Sequence, residues 1–147
     1  MRVALLVFLF ALWLNTDISS SQTVPLGCGR PPLLIDGDVR ETMKPQYNHN
    51  ERVEYMCQSL YTMEGHPYRT CINGEWTGSM RCRKPCIVTA ETISKYNIHF
   101  RYTLANKLFL SHNDAVTFSC TEGRQPVASQ SMRQRCADGV VNFPTCQ

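Results

Sequence analysis

The chain has 147 residues, 43% of them hydrophobic, a formal net charge of +3 and eight cysteines. None of those cysteines is spaced as Cys-x-x-Cys, the nearest pair being Cys82 and Cys86, so a zinc site is not expected. An even cysteine count reads instead as a disulfide framework formed in an oxidising compartment, which leaves no free thiol to act as a nucleophile.

Residues 1–21 read as a secretory signal peptide. Met1-Arg2 is followed by an apolar run from Val3 to Leu14 and then by small and polar residues around Ile18-Ser19-Ser20. That run is well short of the roughly 20 residues needed to cross a bilayer, and no later segment resembles a membrane span. A secreted, extracellular protein is therefore expected. Residues 22–27 form a short extension, and the rest of the chain repeats itself. From Cys28 the steps to Cys57, Cys71 and Cys82 are 29, 14 and 11 residues; from Cys86 those to Cys120, Cys136 and Cys146 are 34, 16 and 10. Two tandem modules are expected, residues 28–82 and 86–146, joined by a linker at 83–85. A three-residue linker containing Pro85 leaves the joint little freedom.

Within the first module Val53-Glu-Tyr-Met-Cys57 alternates with period two and predicts a strand with Val53, Tyr55 and Cys57 on one face. Asn73-Gly74 predicts a tight hairpin turn because both residues tolerate positive φ. The second module repeats the signals with Val116-Thr-Phe-Ser-Cys120 and Asp138-Gly139. No segment carries a helical stripe, so the fold class is all-β. The first core is expected to contain Leu34, Val53, Tyr55, Leu60, Tyr68 and Trp76. Such a core cannot easily offset the ordering entropy of a 55-residue unit. Two bridges per module, worth roughly 3–4 kcal/mol each, would supply the difference. Four cysteines allow three pairings, and spacing alone does not choose among them.

No catalytic constellation is legible. His49, His66, His99 and His112 are scattered through polar segments, and no Gly-x-Ser-x-Gly occurs. A binding protein rather than an enzyme is expected, without a cofactor. No Asn-x-Ser/Thr acceptor for glycosylation is present. Charge divides unevenly: residues 23–82 carry six Lys/Arg against seven Asp/Glu, and residues 83–147 carry eight against four. The second module, with Lys95, Arg101, Lys107, Arg124, Arg133 and Arg135 among the aromatics Tyr102 and Phe109, suits a polyanion.

Cys28-Gly-Arg-Pro-Pro32, the Val53–Cys57 strand and Cys71-Ile-Asn-Gly-Glu-Trp76 resemble a sushi, or complement control, module. Cys57-Gln-Ser-Leu-Tyr-Thr-Met-Glu-Gly65, Pro85-Cys-Ile-Val88, Tyr96-Asn-Ile98 and Arg101-Tyr-Thr103 resemble, more closely, the last two modules of complement factor H and its related proteins. The resemblance implies two small disulfide-rich β-modules in an elongated arrangement, with bridges Cys28–Cys71, Cys57–Cys82, Cys86–Cys136 and Cys120–Cys146. It implies that Asp38, Gln58, Tyr61 and Trp76 contact fragments of the third complement component. It also implies that Arg101, Tyr102, Lys107 and Arg133 contact heparin-like or sialylated glycans. Tyr102 and Ala137 replace tryptophans of the factor H pattern, and Ala105, Glu122 and Gln125 replace basic residues, which weakens the glycan match. The regulatory modules of factor H lie at its other end, so competition with factor H is the expected mode of action. The alternative is a generic sushi pair serving adhesion or cytokine binding. A monomer is expected, with no nucleic-acid partner.

Overall fold

The computed structural model describes residues 23–147; the expected signal peptide lies outside them. Eleven strands follow in order: β1 Gly37–Val39, β2 Arg52–Cys57, β3 Thr62–Gly65, β4 Tyr68–Ile72, β5 Glu75–Thr77, β6 Met80–Arg83, β7 Cys86–Thr89, β8 Ile98–Phe100, β9 Lys107–Leu110, β10 Ala115–Cys120 and β11 Arg133–Arg135. One short helix, α1, covers Ala90–Ser94. Before Pro85 the strands form one sheet in the order β1-β2-β4-β5 and a ribbon β3-β6; after it they form a ribbon β7-β9 and a sheet β11-β10-β8. Every named pairing is antiparallel.

The alternation in β2 and β10 acts as read. Val53 and Tyr55 are buried, as are Val116 and Phe118, and the intervening residues face outward. Tyr55 also donates its hydroxyl proton to the Pro32 carbonyl at 2.6 Å, which satisfies the one polar atom it carries inward. Two separate cores result. The first gathers Val39, Tyr47, Val53 and Tyr55, flanked by Leu34 and Trp76. The second gathers Val88, Ile93, Ile98, Phe100, Leu110, Val116 and Phe118. Disulfides join Cys28 to Cys71, Cys57 to Cys82, Cys86 to Cys136 and Cys120 to Cys146. Each unit is stapled within itself, first cysteine to third and second to fourth.

Two residues of the expected first core are surface residues. Leu60 is 54% exposed at the tip of the Gln58–Tyr61 turn, where its φ of 71° points the side chain away from the sheet. Tyr68 faces outward on β4, under the Arg52 guanidinium at 4.2 Å. Val39 and Tyr47 fill the space instead. The helix is the other departure from the sequence expectation. Five residues are too few to display a stripe, yet Thr89 caps α1 by accepting the Thr92 N–H at 3.1 Å, and Ile93 plugs it into the second core.

Both expected hairpin turns form, and both take positive φ at their two central residues: 47° and 88° at Asn73-Gly74, 48° and 88° at Asp138-Gly139. Each is held from below by a histidine. His49 Nδ1 accepts the Asn73 N–H at 2.9 Å, and His112 Nδ1 accepts the Asp138 N–H at 3.0 Å. Each turn also grips the chain entering its module. Asn73 Oδ1 accepts the N–H of Leu26, two residues before Cys28, at 3.0 Å; Asp138 Oδ1 accepts that of Lys84, two residues before Cys86, at 2.8 Å.

At the second turn the residue is charged, and this changes the joint. The Asp138 carboxylate lies 3.3 Å from Arg81 Nη2 and 3.5 Å from Arg83 Nη1, and Arg83 also pairs with Glu64. The Lys84 N–H above all, with Arg81 and Arg83 behind it, holds the Asp138 carboxyl below its ordinary value of 3.8. A depressed carboxyl contributes stability that is complete above its ordinary value and lost as pH falls through the depressed one. The joint is therefore expected to stay unchanged from neutral pH down to about 4 and to loosen below 3.8. Asp138→Asn keeps an acceptor for Lys84 and a residue tolerant of positive φ, but removes the ion pairs. Inter-module order measured by NMR relaxation at pH 7 should fall in that variant toward the value the native chain reaches in acid.

Candidate functional site: two outward faces

On the first module, Asp38 and Gln58 belong to one end of the outward surface. Asp38 stands directly across from Met56 in the β1–β2 register, both exposed, and the Gln58 N–H reaches back to the Asp36 carbonyl at 2.9 Å. Tyr61 closes the turn that begins at Gln58, its N–H donated to the Gln58 carbonyl at 3.0 Å. Half-exposed Met56 joins this group although sequence reasoning passed it over; its place between inward Tyr55 and Cys57 was the signal.

Trp76 is elsewhere. It pairs with fully buried Cys71 across β4–β5, so its ring points to the core side, edge-on to Tyr47 with centroids 5.1 Å apart. Its indole N–H donates to the Gly29 carbonyl at 3.2 Å. The six-residue length of β2, roughly 20 Å, separates that end of the sheet from Gln58. The structure thus brings together Asp38, Gln58 and Tyr61, and leaves Trp76 as a packing residue at the opposite end.

On the second module the register of β11-β10-β8 aligns two of the expected cations. Thr117 pairs with Arg133 on one side, and on the other its carbonyl accepts the Arg101 N–H at 3.0 Å, one residue beyond the Phe118–Phe100 pair. Phe100 and Phe118 point into the core, so Arg101, Thr117 and Arg133 form a row on the outer face. With strands about 4.8 Å apart, the two arginine backbones lie roughly 10 Å from each other. Arg135, two residues along β11, and His99, two residues before Arg101, extend the same face. The ion pairs found among the described residues involve none of these arginines. Tyr102 follows Arg101 into the β8–β9 loop, with the Arg101 guanidinium 5.4 Å from its ring centroid. Lys107 lies on β9, in the other ribbon, its Nζ 5.0 Å from the centre of the Phe109 ring.

Neither face is a cleft. A concavity of about 450 Å³ runs between the 33–36 loop and β6 down to Lys84 and Asp138, and brings no histidine or nucleophile together. Among the described residues no cluster of metal-ligating side chains forms, and no helix is long and apolar enough to cross a membrane.

Comparison with known proteins agrees with this architecture. The model of the sushi repeat (SCR repeat) matches residues 28–86. The first module is a sushi repeat by that match. The chain is 38% identical to human complement factor H-related protein 2 over 120 residues, which is 82% of this chain and 44% of that protein. It is 33% identical to human complement factor H-related protein 5 over 121 residues, and 32% identical to bovine complement factor H over 120. The chain spans less than half the length of the first of these relatives, 21% of the second and 10% of factor H.

Proposed function

We propose that this chain is a secreted complement modulator that works by presenting two surfaces, with residues 28–82 and 86–146 as separate binding modules around the 83–85 linker. The Asp38, Gln58 and Tyr61 end of the first module docks on surface-bound fragments of the third complement component. The Arg101–Thr117–Arg133 row of the second, with Tyr102 and Lys107 beside it, holds heparin-like or sialylated glycans. The similarity to factor H-related proteins and factor H supports the partner, and a ligand common to both would make this chain a competitor of factor H. The observation that carries the reading is the unpaired arginine row. Two arginines whose backbones stand about 10 Å apart on one sheet face, with no carboxylate paired to either, are free for an anionic polymer.

Surface plasmon resonance against the thioester-domain fragment of the third component tests the first module. The chain should bind and displace labelled factor H, and Gln58→Ala with Tyr61→Ala should weaken binding at least tenfold, as loss of interface anchors does. Trp76→Phe, which keeps the ring packed on Tyr47, should leave it unchanged. No binding by folded protein at high micromolar concentration would remove the proposal. The second module is tested by heparin chromatography. Arg101→Ala with Arg133→Ala should elute at lower salt than the native chain, because screening weakens every such contact.

A further inference from the structure

The β8–β9 loop of the second module carries apolar side chains that neither the fold nor a glycan explains. It is tied at both ends, by the Arg101 N–H to Thr117 and by the Asn106 carbonyl, which accepts the Ala90 N–H at 2.8 Å. Between these ties Thr103 Oγ1 accepts the Ala105 N–H at 3.1 Å and tightens the tip. Leu104, at that tip, is as exposed as a free residue (101%), and Tyr102 is 80% exposed. Neither belongs to the core. On the adjoining ribbon Phe109 and Ile87, paired across β7–β9, also face outward and are half exposed. Cations stand at both stems of the loop, Arg101 and Lys107, with Arg133 beyond Thr117 in the same row as Arg101.

A single exposed leucine is ordinary. Leucine and tyrosine held out together on an anchored tip, with a cation at each of its stems, match a lipid–water boundary. A leucine side chain gains by leaving water, tyrosine belongs at the headgroup level, and lysine and arginine attract anionic headgroups. A sulfated chain would satisfy the cations but would leave Leu104 in water. We propose that this loop is a docking tip for anionic phospholipid bilayers, with Leu104 entering the acyl boundary, Tyr102 lying at the headgroups, and Arg101, Lys107 and Arg133 neutralising phosphate. This surface shares its arginines with the proposed glycan site but stands on Leu104, so the two can fail separately.

The test is co-sedimentation of the full chain with phosphatidylcholine vesicles, with and without phosphatidylserine, beside heparin chromatography of the same proteins. Binding is expected only to the serine-containing vesicles. Leu104→Ser should lower that binding about tenfold and leave heparin elution unchanged, since burial of one leucine is lost and no charge is touched. Arg101→Ala with Arg133→Ala should lower vesicle binding by roughly fivefold per charge and also advance heparin elution. In Leu104→Trp, tryptophan emission should shift to the blue on vesicle addition. Absence of vesicle binding by the native chain, equal binding by Leu104→Ser, or unshifted emission in vesicle-bound Leu104→Trp would each overturn the proposal. Failure of the native chain to be retained on heparin, with its vesicle binding intact, would count against the glycan reading alone.

Discussion

Replacing Cys86 and Cys136 together by alanine should unfold the second module at body temperature while the first stays folded. The bridge closes 50 residues of chain, the longest separation of the four. Cross-linking a loop of that length removes denatured-state entropy worth about 4 kcal/mol. A module of some 60 residues has a total stability of the same order. The core of the first module shares no buried residue with that of the second, and each pair of bridges is internal to its unit. Two-dimensional NMR should therefore show collapse of the signals from residues 86–147 with those from 28–82 near their native positions. Heparin retention should disappear with them, and binding to complement fragments through Asp38, Gln58 and Tyr61 should persist. Simultaneous loss of both sets of signals would mean that the joint, and not the staples, sets the cooperative unit.

Phe118→Ala should come close to the same outcome by a different route. Phe118 is 1% exposed, stacked with Phe100 at 6.1 Å and edge-on to Phe143 at 6.0 Å, so it touches both sides of the second core. Truncating a buried phenylalanine costs about 3–5 kcal/mol, the transfer of the ring plus the cavity it leaves. With both bridges intact the variant should remain compact but melt far below the native module, which calorimetry of the isolated transition would measure. It should also disorder the Arg101–Thr117–Arg133 row, because Thr117 lies beside Phe118 in β10. Phe118→Leu, which fills most of the volume, should recover much of the loss. Equal damage by alanine and leucine would indicate that ring geometry, more than burial, matters here.

The parts of the fold legible in the sequence are those governed by neighbours along the chain. Val53-Glu-Tyr-Met-Cys57 and Val116-Thr-Phe-Ser-Cys120 announce strands because alternation is local, and Asn73-Gly74 and Asp138-Gly139 announce turns because positive φ is local. Leu60 and Tyr68 were misplaced through treating apolar character as burial. For Tyr68 a count would have sufficed: Cys71 points inward, so Arg69 does too, and Tyr68 must face out. The same count places Trp76, Cys71's partner, inside. What no count along one strand could supply is the row formed by Arg101, Thr117 and Arg133. It depends on the register of three strands whose closest members are some 16 residues apart in sequence, and spacing carries no information about such pairings. Leu104 escaped notice for the converse reason: a lone leucine in a polar loop becomes informative only once nothing is found to cover it.

Leu26 and Lys84 occupy equivalent sockets, each donating its N–H to the side chain of a turn whose glycine sits against it. Lys84 therefore moves with the second unit, and the pivot between the units lies a step earlier, where Arg83 leaves β6. Position 73 already shows that asparagine is accepted in such a socket; aspartate at 138 adds a lock that engages only when a preceding unit ends in arginines at 81 and 83. A different β-unit spliced in front of Cys86 would seat its last residues in the same socket but, without those two arginines, would swing more widely.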